Sequence, residues 1–424
     1  MTRLKHLCGA LLIGCLAALA TPAYATNDAM LKLIDIMQAK GTLTRAEADA
    51  LRQAAVQDAE QTEAIKKDVD KQIAESSKSS ASDWTKNIKL KGDMRLRYQY
   101  QNGKGVGKPA DGRDRGRIRY RLGIIAKPED KLEVGAGLAS GGDDPRSTNQ
   151  TFQDAFSTKG IQLDYAYVKY DVTDNFTGIA GKFGQKGSLW QATDLMWDGD
   201  INPEGFSGNF KFNNGFGKAF LSGGIWVIDE SGSAEDDPYL GYAQLGQSFE
   251  SGNVFGTVSG AYFGFQEFTA PPCLGCGSNV TLAGGSVGNT DKDFTVLNFS
   301  GEIGVKDLFA KGIKGSIFGD YVNNVDTSTS YDSGFSVGGK LTNGMWTLKY
   351  IYADLDANAV PDFLPDSDRY DGQTDMKGHE LIAEYKIWKH TTLGLDYYHT
   401  KDKGQDSNNT SEQNILQADV VVKF

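Results

Sequence analysis

Residues 113–124 read RDRGRIRYRLGI, with arginine at 113, 115, 117, 119 and 121 and the apolar Ile118, Tyr120, Leu122 and Ile124 at alternating positions. In an extended strand, successive side chains point to opposite faces. One face of this segment is then cationic and the other apolar. A nucleic-acid arm, a solvated charge run and the wall of a water-filled channel all suit such a strand. The preceding stretch, KLKGDMRLRYQYQ at 89–101, repeats the pattern. Leu90, Met94, Leu96, Tyr98 and Tyr100 share one face; Lys89, Lys91, Asp93, Arg95, Arg97 and Gln99 share the other. A nucleic-acid groove needs stacking aromatics on its basic face. Here Tyr120 lies opposite the arginines, and the chain is acidic overall, with a net charge of −11.

The period of two persists to the last residue. Leu132, Val134, Ala136 and Leu138 alternate, as do Ile161, Leu163, Tyr165 and Tyr167, then Trp346, Leu348, Tyr350 and Tyr352, and Leu393, Leu395 and Tyr397. One face is apolar and ends in aromatics; the other is polar or glycine. A soluble sandwich also alternates, but charge along a whole stripe with Tyr and Trp near strand ends is the pattern of a transmembrane barrel. Spacing predicts about sixteen strands, from 86–101 to 412–424, an even number as single-chain bacterial barrels have. Tight turns such as KPED, VTDN and TNG alternate with long loops at 102–113, 141–159, 187–204, 229–238, 267–292, 323–332, 355–375 and 402–411. The expected fold is an all-β transmembrane barrel of antiparallel strands, with long loops on one rim and short turns on the other. In the closing stretch NILQADVVVKF, Leu416, Ala418, Val420, Val422 and Phe424 alternate outward. A final strand paired with the first leaves no open edge in lipid. The terminal Phe424 resembles the signal read by the barrel assembly machinery.

The other end has a different texture. Residues 1–25 combine Arg3 and Lys5, an apolar run and Ala23-Tyr24-Ala25, which predicts a secretory signal peptide cut after Ala25. A lipoprotein box at Leu12–Cys15 competes, but the apolar run continues past Cys15. Residues 26–82 are expected to form a periplasmic helical segment with a linker at 76–82, and 83–424 the barrel. A first short helix stops at Gly41, and Thr44-Arg45-Ala46-Glu47 is a capping box opening a longer one. Its narrow, Ala-rich seam suits either a coiled coil with sister chains or a spacer.

Chemistry-bearing residues are few. Cys273 and Cys276, in PPCLGCGS, suit a loop disulfide better than a redox pair, which needs a helix start beside it. His379, His390 and His399 have no nucleophile beside them, so no enzymatic role is expected, and no cofactor or metal is called for. Acidic clusters, including Asp366-Ser367-Asp368, read as solvated loop surface. Arginine at the bilayer midplane costs about 2–4 kcal/mol on the lipid face, so the ladder is expected to face the lumen. The pore-lining residues are then Arg95, Arg97, Arg117, Arg119 and Arg121, a wall favouring anions. Arg113 and Arg115 fall above the membrane, against lipopolysaccharide phosphates or solvent.

Three stretches carry a resemblance: LKLIDIMQAKGTLTRAEADAL near the start, DLMWDGDINPEGF in the third long loop, and the terminal VVVKF. Together they resemble the putative porins of Gram-negative outer membranes. That resemblance implies a sixteen-stranded, homotrimeric porin in outer-membrane lipid, passing small hydrophilic solutes. It also implies that the third long loop folds into the barrel as a constriction. Trp190, Asp194, Trp197, Asp198, Asp200 and Glu204 would sit there, their carboxylates facing the arginine wall across the pore. A structural envelope tether and a barrel hydrolase are the alternatives, separated from a porin by single-channel conductance.

Overall fold

The computed structural model describes residues 24–79, 87–105, 111–230, 232, 237–266, 279, 294–326, 331–405 and 411–424. The chain divides into two compact units between Asp83 and Trp84. In the first unit, α1 (Tyr24–Ala39) and α2 (Arg45–Ser79) form a helical hairpin. Gly41 adopts a left-handed φ of +74°, and the Gly41 and Thr42 amides donate to the carbonyls of Gln38 and Met37, satisfying the end of α1. The capping box forms: the Thr44 amide donates to Glu47 Oε2 at 2.8 Å, and the Glu47 amide to Thr44 Oγ1 at 3.4 Å. Arg52 ties the hairpin by donating to Asp35, Gln38 and Asp49. The expected linker is shorter than its composition suggested, because α2 carries helical backbone through Ser79. No helix among the described residues is long and apolar enough to cross a membrane.

In the second unit sixteen antiparallel strands close into a barrel. They are β1 (Ile88–Lys104), β2 (Arg113–Glu129), β3 (Leu132–Ser140), β4 (Ile161–Asp171), β5 (Phe176–Lys182), β6 (Glu204–Asn214), β7 (Gly217–Val227) and β8 (Tyr239–Ser251), then β9 (Val254–Gln266), β10 (Phe294–Lys306), β11 (Lys314–Asn324), β12 (Ser333–Thr342), β13 (Trp346–Leu355), β14 (Met376–Trp388), β15 (Thr391–Asp402) and β16 (Glu412–Lys423). β16 pairs with β1 from Asp93↔Lys423 to Lys104↔Glu412, which shuts the sheet. A two-residue piece, Gln150–Thr151, pairs with the top of β2 beyond the end of β3. The alternation sorts faces as the pattern predicted on β1: Leu90, Met94, Leu96 and Tyr98 are exposed on the outer surface, while Asp93, Arg97 and Gln99 are buried within.

Two departures matter for the interior. β5 stops at Lys182, four residues short of the expected 186, because Phe183 turns inward, becomes fully buried and donates its amide to the Pro203 carbonyl. On β4 the register slips: Leu138 faces Leu163, but Gly137 faces Tyr165, leaving Asp164 as the extra residue of a bulge. The slip reverses parity below it. Tyr165 and Tyr167, expected on the apolar outer face, lie on the inner wall, and Val168 and Tyr170 take the exposed outer positions.

The core sits inside the barrel. Trp226, Leu240, Tyr242, Phe263, Phe265, Val296, Val322 and Leu355 point inward from β7–β13 and pack on Leu195, Met196, Trp197, Val360 and Leu364 of two infolded loops.

Candidate pore lining and constriction

The arginine ladder is two strands wide. β1 and β2 pair so that Arg95 faces Arg119 and Arg97 faces Arg117. Like charges directly opposite repel, and acidic residues offset much of that repulsion. Arg97 makes a bidentate contact with Asp419 at 2.8 Å and donates to Asp368 at 2.9 Å. Arg119 and Arg121 share Asp93, both at 2.8 Å, and Arg121 also reaches Asp200 at 3.2 Å. Arg95 lies 3.4 Å from Asp419. The upper rungs differ. Arg115 donates to Gln101 at 3.1 Å, and Arg117 to Gln99 at 3.2 Å and Ser147 at 3.5 Å. Among the described residues no carboxylate lies within ion-pair distance of Arg113, Arg115 or Arg117. The ladder is thus half neutralised and half open.

The third long loop, 183–203, folds inward, and its residues divide by role. Trp197 is buried edge-on against Trp226, ring centroids 5.4 Å apart, so it anchors the loop and offers no stacking face to a solute. Trp190 exchanges hydrogen bonds with the Gln244 side chain: its amide donates to Oε1 at 2.8 Å and its carbonyl accepts from Nε2 at 2.7 Å. Asp194 contacts Arg369 at 2.7 Å, away from the arginine wall. Asp200 touches that wall directly through Arg121, so these charges form a closed pair with no gap between them. Glu204 lies at the start of β6, pairs with Lys182 at 2.8 Å, and is more than half exposed on the outer face. It is not part of the constriction.

A second infolded loop, 356–375, escaped the sequence reading. Asp366-Ser367-Asp368 is not solvated surface. The Ser367 amide donates to Asp198 Oδ2 at 2.9 Å, the Asp198 amide to the Leu364 carbonyl at 2.7 Å, and Asp368 holds Arg97. Arg369 is buried between Asp194 and Glu380, each at 2.7 Å, and Arg146 donates to the carbonyls of Asp362 and Gly372. Burial, reinforced by Asp200, pushes the Asp198 carboxyl up to about 8. Burial likewise raises Asp366 well above the carboxylate range, helped by Asp194 and Asp198. Burial also acts on Asp368, but the Arg97 charge overrides it and holds the group low. The available signal was apolar: Ala357, Ala359, Val360 and Leu364 interrupt an otherwise acidic loop and are fully buried.

Two cavities flank the third loop on the β1–β6 side. One, of about 650 Å³, lies in the lumen and is lined by Arg121, Tyr165, Tyr167, Lys169 and Asp200 among others. The other, of about 840 Å³, occupies a notch above β5, where β4 has no pairing with β5 beyond Ala166↔Lys182. Asp164, Asp200 and Asn202 border both.

Phe424 lies at the seam. It exchanges backbone hydrogen bonds with Gly92 at 2.9 and 3.0 Å, and its ring sits 6.2 Å from Tyr120. His379 and His399 stack on the outer face, with Tyr350 bonded to the former. Among the described residues no group of three His, Cys, Asp or Glu could hold a metal ion. Cys273 and Cys276 fall outside the described residues.

No curated protein matches the chain. In fold it is similar to OprB of Pseudomonas putida in a high-pH structure, at 12 % identity over 80 % of this chain and 95 % of that one, TM-score 0.55. A triple mutant of the Rhodopseudomonas blastica porin aligns at 12 % identity over 80 % of this chain and all of that one, with a TM-score of 0.44. The family described as putative porin matches residues 106–300, from the loop after β1 into β10. Just under half of the chain thus matches the putative porin family, and its strands close into a sixteen-stranded antiparallel barrel.

Proposed function

We propose that the barrel is an outer-membrane porin, a water-filled channel through which small hydrophilic solutes diffuse passively. The observation that carries this is the inverted layout: an apolar, aromatic-flanked exterior around an interior with charged walls and an open cavity of about 650 Å³. In this reading the long loops face outside, against lipopolysaccharide, and the short turns and the helical hairpin face the periplasm. Phe424 serves barrel assembly.

The protein works as a homotrimer. β5 has only seven residues, against the roughly nine to eleven a bilayer-crossing strand needs. Above it the wall is a notch edged by Asp164, Lys182 and Glu204. Unpaired backbone and charge at that height are costly in hydrocarbon, and a neighbouring copy relieves both.

The arginine wall gives the pore an anion preference, carried mainly by Arg113, Arg115 and Arg117, which have no carboxylate within ion-pair distance among the described residues. Because Arg97, Arg119 and Arg121 are already paired, the preference is moderate. Reversal potentials in a salt gradient test this on wild type and on Arg113→Gln, Arg115→Gln and Arg117→Gln combined. The variant is expected to move toward cations, most at low salt where screening is weakest. A folded barrel that gives no conductance steps would overturn the channel itself; an unchanged potential at low salt would overturn only the anion preference.

A further inference from the structure

The bulge at Asp164 has an effect on the lumen that a plain strand would not. It turns Tyr165 and Tyr167 inward, side by side, with ring centroids 5.9 Å apart. Both rings lie flat on glycines of the neighbouring strands. A Cβ at Gly137 would sit 2.3 Å from the Tyr165 ring, one at Gly123 1.8 Å from its hydroxyl, and one at Gly135 2.5 Å from the Tyr167 ring. No side chain larger than hydrogen fits at those three positions without moving a ring. The result is a smooth aromatic wall in the lumenal cavity of about 650 Å³, within the usual size range of small-molecule sites.

The polar groups around that wall are unequally engaged. Glu133 accepts from the Tyr167 hydroxyl at 3.0 Å and lies 3.9 Å from Lys169. Asp164 accepts from Asn202, Asp171 from Thr177, and Asp93 and Asp200 hold Arg121. Every carboxylate lining the cavity is therefore occupied. The lysines are not: Lys91, Lys186, Lys211 and Lys423 line the same cavity with no carboxylate within ion-pair distance among the described residues. Lys91 instead holds its ammonium 5.2 Å from the centroid of the Tyr165 ring. A neutral polyhydroxylated solute would leave those ammonium charges without a counter-ion. A flat solute bearing an anion would find free ammonium groups beside an aromatic face.

We propose that Tyr165, Tyr167 and Lys91 form a lumenal subsite for aromatic carboxylates, which pause there during passage. This rests on the channel reading and deepens it by naming a solute class. The site predicts saturable block of small-ion current, since an occupied subsite obstructs the pore.

The test uses the full-length barrel in planar bilayers, with benzoate, acetate and glucose added in turn at matched ionic strength. Benzoate is expected to reduce single-channel chloride current with a saturating dose dependence; acetate and glucose are not. Tyr165→Ala with Tyr167→Ala should raise the half-blocking concentration about tenfold. Tyr165→Phe should retain block, because the Tyr165 hydroxyl has no partner. Lys91→Gln, which leaves the rings in place, should also weaken it. Equal block by acetate would show a charge effect without a subsite, and block by glucose would assign the wall to sugars; either overturns the proposal. So does undiminished block in the double alanine variant. Absence of any conductance from folded wild type would instead fail the channel reading.

Discussion

Along β1–β6 the inner wall carries arginine, lysine, aspartate and two tyrosines around open space. Along β7–β13 the corresponding inward positions carry Trp226, Leu240, Phe263, Phe265, Val296 and Leu355, sealed beneath two loops. Both halves are antiparallel sheet with an apolar exterior, the bulge at Asp164 and the short β5 aside. The difference is what the inward set meets: an open cavity on one side, the loop residues Leu195, Met196, Trp197, Val360 and Leu364 on the other. Strand periodicity therefore reports which face is inside a barrel, but not whether that inside is wet.

The sharpest way to break the filled half is to remove its buried cation. Arg369→Ala leaves Asp194 and Glu380 facing each other without compensation, at an expected cost of about 3–5 kcal/mol. Single-channel conductance should rise and fluctuate as both loops loosen, and 183–203 should become open to protease. A folded variant with wild-type conductance would mean the apolar contacts alone hold the plug.

A smaller effect is expected from pH. Burial and Asp200 raise the Asp198 carboxyl to about 8, above its ordinary range near 4 when unfolded. A raised acid contributes to loop seating fully below the unfolded value and loses that contribution as pH rises through about 8. Current noise should therefore grow on the alkaline side in wild type. In Asp198→Asn, which carries no charge there, the profile should flatten. Noise that grows toward acid pH would assign the seating to other groups.

The least effect is expected in the open half. Among the described residues Arg117 bonds only to Gln99 and Ser147, so Arg117→Gln should change stability by no more than about 1.5 kcal/mol. Arg97→Gln should cost more, because it strips Asp419 and Asp368 of their shared partner. Denaturant titration of the two variants side by side measures the contrast. Equal losses would erase the distinction between open and neutralised rungs.

The barrel was legible in the sequence because alternation repeats on many strands and the turn lengths alternate with it. The interior was legible only in part. The alternation puts the arginines on one face of β1 and β2, but their partners Asp419, Asp368 and Asp200 lie far away in the chain, and no local pattern names them. The bulge was hidden because Asp164 reads as an ordinary inward residue between Leu163 and Tyr165. The second infolded loop was hidden by its acidity, since aspartates that hold buried arginines look like aspartates that hold water. Runs apolar on both parities, such as AYFGF at 261–265, were the trace of the dry half.

Every barrel strand pairing but one joins neighbours in sequence, and each of these can form as a local hairpin. The exception is the seam that sets Asp93 against Lys423. Bringing together positions about 330 residues apart carries a closure entropy of roughly 5 kcal/mol, and that cost comes due before the last ladder returns anything. Folding of this chain should thus have one intrinsically slow event, and until it occurs β1 and β16 present two raw edges to whatever surrounds them. The seam is where assembly is slowest and where a helper that shields strand edges would gain the most time.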